Sequence, residues 1–129
     1  EAEKRLLGLI SQSKKLYKMS SAQIKAEEFA TNVYRRLAKS MYDSYENGMS
    51  PDPAMMLNDF SGDDLSEASE VFYNLEVYSG DEETVKELLY TIKLEKLNMR
   101  INAEADPTNL MDLFKQREEL LNEKNTWEE

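Results

Sequence analysis

The sequence predicts an all-α fold: a compact helical bundle, then a long spine helix, then a protruding C-terminal helical hairpin. Three observations carry that reading. Only four Gly and three Pro occur in 129 residues, with 40% hydrophobic and 33% charged content, the balance of an ordered helical protein. Apolar residues recur three and four apart along most of the chain. The stretch Ser79 to Ala103, SGDEETVKELLYTIKLEKLNMRINA, is apolar on two faces. Val85, Leu88, Leu89, Ile92 and Met99 share one face; Tyr90, Leu94, Leu97 and Ile101 share another, roughly 150° away at 100° per residue. A helix apolar on two faces has to be covered twice. The division expected is a bundle over residues 1–80, completed by the first half of the spine, the spine itself over 81–103, and the closing helix of the hairpin over 104–129.

Taken in order, Ala2 to Ile10 reads as a first helix with Leu6, Leu7 and Ile10 as its apolar set. A short second helix follows through Leu16, Tyr17 and Met19. Ser20 and Gln23 form a capping pair on paper, and Ile24 to Phe29 reads as a connector with at most a turn of helix. Thr31 to Glu46 has the strongest period of the first half, in Val33, Leu37, Met41 and Tyr45. Asn47-Gly48 ends it, Gly suiting the left-handed position after a helix. In Ser50-Pro51-Asp52-Pro53, Asp52 is placed as N-cap and Pro53 as first helical residue, with Met55, Met56, Leu57 and Phe60 facing inward. Asp63 to Asn74 follows, with Leu65, Ala68, Val71, Phe72 and Leu75 inward.

The spine opens with Ser79 as cap and Glu82 reaching back, while Asp81, Glu82 and Glu83 oppose the positive end of the macrodipole. Without Gly or Pro before Pro107 it runs about six turns, roughly 35 Å. Asp106-Pro107 repeats the cap-plus-Pro start. The last helix, Thr108 to about Trp127, carries Leu110, Leu113, Phe114, Arg117, Leu120 and Leu121 at near-heptad spacing, long enough to fold back on the spine. Met41, Met49, Met55, Met56, Met99 and Met111 read as gap-filling core.

Cysteine and histidine are both absent, which removes disulfides, thiolate metal sites, imidazole bases and the common catalytic triads. Paired carboxylates such as Asp63-Asp64 and Glu82-Glu83 sit at helix starts, where capping and solubility explain them. Asp59, Asp63 and Asp64 lack the spacing of a calcium loop, and no phosphate-binding Gly loop is present. No apolar run is long enough to span a membrane. The net charge of −10 is unevenly spread: residues 51–84 hold ten Asp/Glu and no Lys/Arg, whereas residues 1–50 balance at +3. That acidic block disfavours direct nucleic-acid binding. It reads as a solvated face, or, more sharply, as a patch that orients a basic protein partner. The chain opens at Glu1 inside a helical pattern, so a piece of a longer protein is expected. From the residues alone, the chain is an acidic helical interaction module without an active site.

Two stretches carry a resemblance. AEKRLLGLI, and EEFATNVYRRLAKSMYDSYENG seventeen residues after Ile10, resemble the opening of a small bundle shared by two replication families. One is the C-terminal helicase-binding domain of bacterial replicative DNA primase; the other is the N-terminal domain of the replicative helicase. The ending DEETVKELLYTIKLEKLNMRINAEADPTNLMDLFKQREELLNEKN is similar to the primase ending, so the primase family is favoured. The helicase's own N-terminal domain and a stand-alone helical regulator are the alternatives.

The primase resemblance implies a primosome component, cytoplasmic and bacterial, in a parent enzyme that makes RNA primers with zinc and magnesium bound outside these residues. It implies no catalysis and no cofactor in the present chain. This piece would be a monomer docking onto the N-terminal domains of the hexameric helicase, mostly through the hairpin. Leu110, Phe114, Arg117, Leu121 and Trp127 are the contact residues expected. Lys4 and Arg5 are placed as a site for the acidic tail of single-stranded-DNA-binding protein.

Overall fold

A computed structural model describes the backbone of residues 2–73 and 81–127, with side chains as far as Asn125. Among these residues there are seven α-helices, one 3-10 turn and no strand: α1 (Ala2–Gln12), α2 (Lys14–Ser21), the turn (Ala26–Glu28), α3 (Asn32–Glu46), α4 (Pro53–Leu57), α5 (Gly62–Tyr73), α6 (Glu82–Ala103) and α7 (Pro107–Trp127). The fold is all-α. It divides into two compact units, one ending at Leu89 and one beginning at Tyr90.

Helix starts follow side-chain chemistry. Thr31 accepts from the amide of Tyr34 at 3.1 Å, and Asp52 from that of Ala54 at 3.0 Å with Pro53 first in α4. Asp106 accepts from the Thr108 amide at 2.9 Å ahead of Pro107. Each satisfies a donor that the helix itself leaves open. Gly48 adopts φ 76° after α3, a conformation that costs Gly nothing.

The first unit is built around α3, which packs on α1, α2, the 3-10 turn and α5. Leu6, Leu7, Ile10, Phe29, Val33, Leu37 and Met41 are buried there, with Ala68 and Val71 from α5 and Val85, Leu88 and Leu89 from the start of α6. Each large apolar side chain so buried contributes about 1.5–3 kcal/mol against exposure. An ion pair between the Lys15 ammonium and the Glu82 carboxylate links α2 to the first turn of α6.

Several expectations are corrected. Ser20 does not start a helix: it lies inside α2 and is buried, with its hydroxyl unpartnered, while its carbonyl accepts from Gln23 and Ile24. The spine starts at Glu82, where Asp81 caps it, accepting from the Thr84 amide at 3.1 Å. Ser79 and Leu75 lie outside the described residues. Leu65 and Met55 face solvent instead of the core. Of the methionines read as core, Met41 and Met56 are buried, but Met49, Met55, Met99 and Met111 are 64–73% exposed. Met99 shares a helix face with Val85 and Leu88, yet it lies ten residues beyond Leu89, where the first unit ends.

Candidate protein-interaction surface

The second unit is an antiparallel pair made by the later part of α6 and by α7. Tyr90 and Leu97 bury against Leu120, with Leu94 and Leu113 packed beside them. The guanidinium of Arg117 donates to Asn98 Oδ1 at 2.9 Å, and the Lys124 ammonium stands 4.4 Å from the centre of the Tyr90 ring. As the α6 partner moves back from Asn98 to Tyr90, the α7 partner advances from Arg117 to Lys124, which fixes the antiparallel register. Within this unit the two helices form a single layer. Phe114 and Leu121 are each 42% exposed, and Met111 is more so.

The near-heptad stripe of α7 therefore splits. Leu120 and, in part, Leu113 face α6, while Phe114 and Leu121 form an open edge about 80–120° further round, with half-buried Leu110 between the two sets. Arg117 is half-buried and committed to Asn98, its guanidinium also 5.2 Å from the centre of the Phe114 ring. The side chain of Trp127 lies outside the described residues. Lys4 is half-buried and Arg5 exposed on α1.

In the first unit, a cleft of about 540 Å³ lies between α2, the 3-10 turn and α3. Lys25, Arg35, Arg36 and Lys39 line it together with carboxylates, Glu27 and Asp43 among them. These cations do not converge. Arg35 donates to the carbonyls of Phe29 and Ala30 at 3.0 Å, and Arg36 donates to the Asp59 carbonyl at 2.8 Å while lying over the Phe60 ring. Lys39 pairs with Asp43 at 3.6 Å. The two arginines tie connectors to α3. Among the described residues no group of three or more acidic side chains is placed to hold a metal ion. No described helix is long and apolar enough to cross a membrane.

Sequence reasoning missed one polar residue of consequence. Glu3 is buried on α1, and both its carboxylate oxygens accept from the Ala30 amide, at 2.7 and 3.1 Å. It stands three residues before Leu6 and seven before Ile10, so a charge within the apolar stripe was the available signal. Two phenols act similarly: Tyr45 donates to the Ile10 carbonyl at 2.6 Å and Tyr42 to the Ile24 carbonyl at 2.9 Å. Tyr17 stacks on Tyr45 at 4.6 Å and meets Tyr42 edge-on at 5.2 Å. Glu3 and the two phenols fix the ends of α1, α2 and the 3-10 connector around α3.

Residues 1–94 match the family described as the DnaB-like helicase N terminal domain. The chain belongs to that family. Comparisons with curated proteins and with solved structures return no match. The match takes in the whole first unit and the opening turns of the second, so the DnaB-like assignment corrects the primase reading. The correction has a physical reason. The ending that favoured primase is an acidic cap, a Leu- and Lys-rich helix, a short link and a closing helix, which any antiparallel hairpin requires. The family match rests on residues 1–94, which leave out most of that ending. Primer synthesis, the zinc and magnesium of a parent primase, and docking onto a separate helicase fall with that reading. The helicase N-terminal domain, first held as an alternative, is what the family match supports.

Proposed function

We propose that this chain serves DNA replication as the N-terminal domain of a DnaB-like helicase and works by protein contact, without chemistry of its own. The observation that carries this is the family match over residues 1–94, which includes every element of the first unit. The open edge of α7 supports a contact role, because apolar area left on a highly charged domain marks an interface. Phe114 and Leu121 are the residues of that edge, with half-buried Leu110 beside them, and a partner replication protein is its occupant. Primase is the partner to try first, since primases of the family compared above dock on helicase N-terminal domains.

The test immobilises the chain and presents purified bacterial primase and, separately, purified hexameric replicative helicase. Capture of primase, with no ATP hydrolysis or nucleotide polymerisation by the chain alone, is the expected result. No capture of primase by the folded chain would overturn the contact reading. Detectable catalysis by the chain alone would overturn the claim that it acts by contact.

A further inference from the structure

We draw no further inference here: the strongest candidate, the open apolar edge of α7 around Phe114 and Leu121, belongs to the contact surface already proposed, and nothing in the structure shows what covers it.

Discussion

Replacing Glu3 by Ala tests whether a single carboxylate anchors the connector ahead of α3. The side chain is 8% exposed and both oxygens reach the Ala30 amide, one residue before the Thr31 cap. A hydrogen bond to a charged group contributes about 1.5–3 kcal/mol net. Two effects reduce that figure. Ala30 is exposed, so its freed amide regains water. A buried carboxylate also gives up hydration in the folded state, a cost that Ala removes. The expected loss is therefore about 1.5–2 kcal/mol. For a cooperative unit of this size it lowers the melting temperature by about 6–16 °C. Glu3→Gln keeps an acceptor oxygen and the side-chain shape, so it should lose less than about 1 kcal/mol. The assay is thermal and urea unfolding of the two variants beside the parent, followed by circular dichroism. If Glu3→Ala unfolds within about 0.5 kcal/mol of the parent, the carboxylate is not an anchor and the reasoning fails.

Tyr45→Phe deletes the donor to the buried Ile10 carbonyl and should cost about 1–2 kcal/mol in the same unfolding assay. Asp81 and Glu82 are both held below the usual carboxylate range, Asp81 chiefly by the Thr84 amide and Glu82 by hydrogen bonding and charge from Lys15. Depressed carboxylates stabilise above their unfolded pKa and lose that contribution as pH falls through the folded one. Asp81→Ala should accordingly lower stability at pH 7 more than at pH 2; equal losses at the two pH values would rule the cap out. Phe114→Ala should weaken a partner that sits on the α7 edge by about 2 kcal/mol, roughly thirtyfold. Because Phe114 is 42% exposed, its melting temperature should move little, and binding at parental affinity would place the contact elsewhere. A chain cut after Leu94 should still melt cooperatively, since Val85, Leu88 and Leu89 remain to close the first core; a non-cooperative melt would show that the residues after Leu94 are needed for it.

Helix boundaries were readable where one residue's chemistry decides them. Asp52-Pro53, Asp106-Pro107 and Gly48 all fall where capping and left-handed backbone demand, whereas Thr31, read as helical, is the cap of α3. Burial was less readable where period alone was used. Met99 keeps the angular phase of Val85 and Leu88 but lies beyond the first unit, so phase did not predict cover. Leu65 stands in the first turn of α5, before Ala68 and Val71 reach the core. Ser20 and Gln23 have capping spacing, yet α2 runs through Ser20, because the chain is already helical from Lys14. The α7 edge was half legible: the excess of apolar residues shows in sequence, but which of them α6 would cover depends on the register set at Asn98 and Arg117. The family was misread because amphipathic helices of similar length share so few obligatory residues.

The two buried phenols have a consequence at the alkaline end. Burial raises the pKa of Tyr45, and it raises that of Tyr42 as well, helped by the charges of Tyr17 and Glu28. Their stabilisation is complete below the ordinary phenol value near 10 and is lost as pH climbs toward the folded-state values. Ionising either hydroxyl also takes the proton away from the Ile10 or Ile24 carbonyl, leaving two oxygen acceptors face to face. Alkali should thus loosen the clasps on α1 and on the chain after α2 together. The phenolate absorbance of those tyrosines should then rise in step with the loss of helix, so that the bundle carries its own optical gauge of opening.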